Sequence, residues 1–130
     1  MEVNFMEKIK LTTVLNSQND GISSFDGVGM LKNNELIFFE NSIKVVISII
    51  NNIIKIRRIT DEYILELQFD DSLTKEGIYD IKGGSIQIPV KTNTNVLKIN
   101  DQNIHIEYEL ELSGVNQGKF IYDVNYEVIK

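Results

Sequence analysis

Cysteine and alanine are missing from this 130-residue sequence, and proline and histidine each occur once. Without cysteine there is no disulfide framework, no thiolate metal site and no cysteine nucleophile. A cysteine-free chain fits a reducing compartment. Without alanine, the best helix former, a helix loses its easiest filler. The one proline, Pro89, lies in the run Ile86–Thr92. If that run is a strand, Pro89 belongs at an edge, a bulge or a position without a ladder bond. Arginine occurs only as the adjacent pair Arg57 and Arg58.

Long apolar runs are missing too. The most apolar segment, Ile43–Ile56, falls below the ~20 residues a membrane helix needs, and Lys44, Asn51, Asn52 and Lys55 interrupt it. It reads as two strands around an Asn-Asn turn. The opening MEVNFMEKIK has no basic region leading into an apolar stretch, so no signal peptide is read and a cytoplasmic location is expected. Asp and Glu number 19 against 13 Lys and Arg, a net charge of −6. That balance repels phosphate backbones and anionic lipid, so neither nucleic acid nor membrane is expected as a partner, and it keeps the chain in solution.

What is present favours strands. Isoleucine occurs 21 times and valine 10 times, and these stiff β-branched side chains suit a pleated surface. Ile104, Ile106, Tyr108, Leu110 and Leu112 alternate with His105, Glu107, Glu109 and Glu111. Similar alternation runs through Ile9–Leu15 and Phe120–Val128. Period two marks a strand with one buried face. Turn signals separate the runs, among them Asn19-Asp20-Gly21, Asn33-Asn34, Asn51-Asn52, Asp70-Asp71-Ser72, Lys82-Gly83-Gly84, Asn100-Asp101 and Asn116-Gln117-Gly118. Their spacing of about 8–12 residues is the rhythm of sequential hairpins. The length suits one domain over residues 1–130, with a core large enough to need no staple. The fold class expected is all-β: a closed antiparallel up-and-down β-barrel of roughly 8–10 strands, because closure removes the edges of a meander.

Few residues offer chemistry. His105 shares a face with three glutamates, which reads as the solvent side rather than a metal site. Asp70-Asp71 and Asp61-Glu62 read as solvated turns and lack the alternate spacing of a calcium loop. Gly27-Val28-Gly29 has no third glycine and no helix after it, so it reads as a bent strand or bulge rather than a phosphate loop. No cofactor or metal site is read. The arginines carry more information. In a regular strand one of them points with Ile54 and Ile56; if that face is the interior, it is Arg58, and a bulge would exchange the roles. A buried guanidinium needs an anion or several acceptors. Tyr63, Phe69, Tyr108, Phe120, Tyr122 and Tyr126 fall on the faces expected to point inward, and buried tyrosine hydroxyls need partners.

The order of several features resembles the YwiB-like family of small uncharacterised bacterial proteins, over about Lys8 to Val128. Gly27 precedes the apolar stretch at Leu31, Arg57 closes a strand, and Gln68 precedes Phe69. Tyr79, Gly84, Ile86, Ile88 and Thr92 follow, and then a late Ile106-x-Tyr108. One departure is that Arg58 and Ile59 stand where the family has small turn residues. The resemblance implies a calycin-like, lipocalin-type barrel and brings no settled activity.

A barrel of about this size is either filled by side chains or holds one small ligand. The expectation is a non-catalytic barrel that binds a small apolar or amphipathic ligand in a lumen of roughly 300 Å³ or more. Its lining is expected from Arg57, Arg58, Tyr63, Phe69, Tyr79, Tyr108, Tyr122 and Tyr126. The alternative is a filled barrel serving as an interaction module or homodimer through outward apolar residues such as Val46, Ile50, Ile121 and Ile129. An enzyme would need a site that ordinary acids, tyrosines and arginines assemble only in the fold.

Overall fold

Ten strands follow one another in the computed structural model, which describes residues 6–81 and 86–130. They are β1 (Met6–Ser17), β2 (Gly21–Lys32), β3 (Glu35–Glu40), β4 (Ile43–Ile50), β5 (Ile53–Ile59), β6 (Tyr63–Phe69), β7 (Thr74–Ile81), β8 (Ile86–Asn100), β9 (Asn103–Leu112) and β10 (Val115–Val128). Each pairs antiparallel with the next, and β10 returns to β1 to close the barrel. No helix occurs among the described residues, and so no helix there is long and apolar enough to cross a membrane.

The turns follow from residues that accept positive φ. Asn51 and Asn52 take φ of 50° and 65° between β4 and β5, and Asn33, Asn41, Ser72 and Gln102 serve other hairpins in the same way. The Lys82-Gly83-Gly84 signal lies outside the described residues. Asn116-Gln117-Gly118 is not a turn. The β9–β10 hairpin is made at Ser113 and Gly114, both with positive φ, and the later glycine forms a bulge inside β10. There Asn116 Oδ1 accepts the Gly118 amide at 2.6 Å and holds the left-handed residue in place. Pro89 pairs with Ile78 of β7 just beyond the point where the β8–β9 ladder begins, so its missing N–H costs that ladder nothing.

Alternation decides what lies inside. Ile9 and Leu11, Leu36 and Phe38, Val45 and Ile47, Ile54 and Ile56, and Ile104 and Ile106 are all buried, and they interdigitate across the barrel. The long strands β1, β2, β8, β9 and β10 form a tall wall, and β3 to β6 a short one. We call the end that carries the β1–β2, β3–β4, β5–β6 and β9–β10 turns the upper rim.

One glycine has a steric reason. The β6–β7 ladder ends at the pair Glu66 and Ile78. Just past it, a Cβ on Gly77 would lie 2.0 Å from the Glu66 carbonyl oxygen. Beyond that pinch the Thr92 hydroxyl of β8 donates to the Gln68 carbonyl of β6. Because the obstacle is backbone, a Gly77→Ala variant should lose about 1–3 kcal/mol, read as a lower urea midpoint at unchanged slope.

Candidate functional site

The two arginines divide as strand parity requires. β5 pairs with β4 and β6 without a register shift, so Arg57 and Arg58 point to opposite sides. Arg57 lies on the outer face, with Nε 3.7 Å from Glu66 Oε1, and Lys55 approaches the same carboxylate at 3.9 Å. Arg58 points inward, as do Ile54 and Ile56 of its own strand. It stands opposite Val45 on β4, while Glu40 stands opposite Ile43 on the same strand. The two charged side chains meet over the inner face of β4, with Arg58 Nη1 3.6 Å from Glu40 Oε2. Both are about a quarter exposed. At that distance the contact is Coulombic rather than a hydrogen bond, and a guanidinium carries more N–H donors than one carboxylate takes up.

Arg58 lines a lumenal cavity of about 230 Å³ near the upper rim. Ile56, Leu67, Tyr108 and Tyr122 form its buried inner part. Leu15, Leu65, Leu110 and Phe120 carry it toward the rim, where burial is partial. Beneath it Phe69 packs edge-on against Tyr108, ring centroids 4.7 Å apart, and Tyr108 stacks on Phe120 at 5.2 Å. The volume is below the roughly 300 Å³ expected of a lumenal site, which narrows the occupant to something small.

The Tyr122 hydroxyl is buried here without a hydrogen-bond partner of acceptable geometry. Burial pushes its pKa well up, the nearby Glu40 charge adds to that, and Arg58 and the Thr13 side chain oppose it. Tyr108 is raised by burial first and then by Tyr122, again against Arg58. Both phenols therefore stay protonated at neutral pH. The cavity thus combines an apolar wall, one cation with an incompletely used set of donors, and one buried hydroxyl with no well-formed hydrogen bond.

The other expected lining residues lie elsewhere. Phe69 is core, fully buried below the cavity. Tyr63 and Tyr79 sit at the upper rim and pack on each other at 5.3 Å. Tyr126 is at the opposite end. There it lines a recess of about 360 Å³, walled by outward polar residues such as Lys10, Gln102 and Glu127. That recess is larger but polar and open, and it lacks the buried donor that distinguishes the lumen. Glu40 is the site residue that sequence reasoning missed. The alternation Leu36, Phe38, Glu40 would have placed it on the inner face.

His105 lies on the outer wall. Its Nδ1 is 2.5 Å from Asp123 Oδ1 and its Nε2 is 2.8 Å from Glu107 Oε2, with Lys98 next to it in register. No group of side chains suited to hold a metal ion occurs among the described residues. The hydrogen bond to Glu107, then that to Asp123, raises the imidazole above its ordinary value of 6.5. A raised folded-state pKa contributes stability that is fully present below the unfolded value and lost as pH rises through the folded one. The stability lead of the wild type over His105→Gln should therefore be largest below about pH 6.5 and fade above it. Urea midpoints of both proteins on either side of that value check the trend.

Comparison with known proteins agrees with this architecture. The family model described as Domain of unknown function (DUF1934) matches residues 9–124. The chain belongs to the DUF1934 family. A solved structure titled as the crystal structure of ywiB protein from Bacillus subtilis superposes with a TM-score of 0.72 at 15% sequence identity. The match covers 96% of this chain and 94% of that one. At that identity the likeness is one of fold. No curated protein matches the chain. Of the features that pointed to the family, Gly84 lies outside the described residues; Arg57, Phe69, Tyr79 and Tyr108 all lie on strands of the DUF1934 barrel.

Proposed function

We propose that this DUF1934 barrel is a cytoplasmic, non-catalytic binder of a small amphipathic anion, held in the lumen as calycin- and lipocalin-type barrels hold their ligands. The apolar tail lies against Leu67, Leu65 and Phe120, and the anionic head pairs with Arg58. The observation that carries this reading is the buried Tyr122 hydroxyl at the cavity wall, which has only the Thr13 side chain close by and no hydrogen bond of acceptable geometry. An unsatisfied buried donor costs about 1–3 kcal/mol, a cost that a ligand oxygen accepting its proton would remove. Arg58 supplies the charge, and its distance from Glu40 leaves it able to turn toward an incoming oxygen.

The test is native mass spectrometry of gently purified protein, compared with the mass after denaturation. A reproducible small added mass on the folded monomer, lost on unfolding, is the expected result. A bare folded monomer that also takes up no added short-chain carboxylate would overturn the reading.

A further inference from the structure

The barrel closes, but not along its full height. β2 pairs with β1 over its whole length, from Gly21 to Lys32. On its other side it pairs with β3 only from Gly29 to Lys32. Residues 21–28 therefore present a strand edge with no ladder partner toward β3 and, among the described residues, no backbone turn bond in its place. Inside the barrel the gap is plugged by side chains: Phe25 reaches across to stack on Phe38, ring centroids 5.8 Å apart. Outside it is open. Ile22 is 71% exposed, Val28 52% and Phe39, on the diverging end of β3, 60%.

Natural edges are blunted by lysine, proline or inward-pointing charge. This one has none of these. Its single charge, Asp26, accepts a hydrogen bond from the Thr12 hydroxyl at 2.6 Å and is drawn toward β1, away from the free edge. In a chain of net charge −6, a nearly uncharged segment is where two copies can approach without strong repulsion.

We infer that this edge is a homodimer interface in which β2 of one copy pairs antiparallel with β2 of a second. Antiparallel self-pairing is two-fold symmetric, so each copy supplies the same donors and acceptors to the other. With the axis at Phe25, Ile22 of one copy faces Val28 of the other on the outer surface, and Ser24 faces Asp26. Exposed apolar side chains are then covered by each other, and no like charges are opposed.

The experiment is sedimentation velocity of the full chain over a wide concentration range, with wild type compared to Ser24→Glu, which sets a second carboxylate opposite Asp26 of the other copy, and Ile22→Lys. Both side chains are exposed and outward, so the barrel should keep its fold, checked by circular dichroism. The wild type is expected to dimerise reversibly. Each variant should weaken the dimer by at least about tenfold, and hydrogen exchange of amides 21–28 should slow as the wild type is concentrated. A wild type that stays monomeric at every concentration overturns the inference. So does a dimer unaffected by either substitution, or an edge that pairs only with a peptide of another protein.

Discussion

Phe69→Ala will cost the barrel about 3–5 kcal/mol of unfolding free energy, among the largest losses any single truncation here will produce. Phe69 is fully buried at the end of β6. Its ring meets the edge of Tyr108, which in turn stacks on Phe120, so one side chain beneath the cavity supports the aromatic column that walls it. Its removal forfeits both the transfer energy of the ring and the contacts of the lining left around the void. Aromatic pairing adds about 0.5–1.5 kcal/mol beyond area. Domains of this kind hold only about 5–15 kcal/mol in total, so the variant should show a much lower midpoint in guanidinium. A loss below about 1 kcal/mol would mean that the column repacks and does not act as a support.

Two substitutions at the charged pair should act in opposite directions on ligand binding. Arg58→Leu keeps an apolar wall but removes the cation, and binding of a probe such as hexanoate should weaken by at least about tenfold, or 1.4 kcal/mol. Glu40→Gln keeps the shape and removes the competing anion 3.6 Å from the guanidinium, so the same probe should bind as well or better. Hexanol, with the same tail and no charge, should be indifferent to both changes. Isothermal titration of the three proteins against the two probes separates a charge effect from general damage to the fold, which would weaken both probes alike. The pair is partly exposed, so these effects will shrink as salt is added.

Much of this was legible in the residues. Alternation in Ile104–Leu112 gave β9 to within a residue, and that in Phe120–Val128 gave the later part of β10, which begins at Val115, because period two admits one arrangement when one face is apolar. The same parity separated Arg58 from Arg57. What parity does not give is height along the barrel axis. Tyr122 and Tyr126 share a face of one strand, yet one lines the lumenal cavity and the other lies at the opposite rim. Nor does it give the stagger between neighbours: the free stretch of β2 exists because β3 is half its length. Asn116-Gln117-Gly118 has the composition of a turn, but Ser113-Gly114 three residues earlier had already reversed the chain, so the same glycine served as a bulge.

The central claim is that the upper lumen takes an amphipathic anion, with its head at Arg58 and Tyr122. Heteronuclear NMR of the labelled protein titrated with hexanoate tests it most directly. Saturable shifts should centre on the Arg58 guanidinium, the rings of Tyr108 and Tyr122, and the methyls of Leu15 and Leu65. The recess around Tyr126 should stay still. An unchanged lumen at millimolar probe, or shifts confined to the Tyr126 end or the outer wall, would contradict the account.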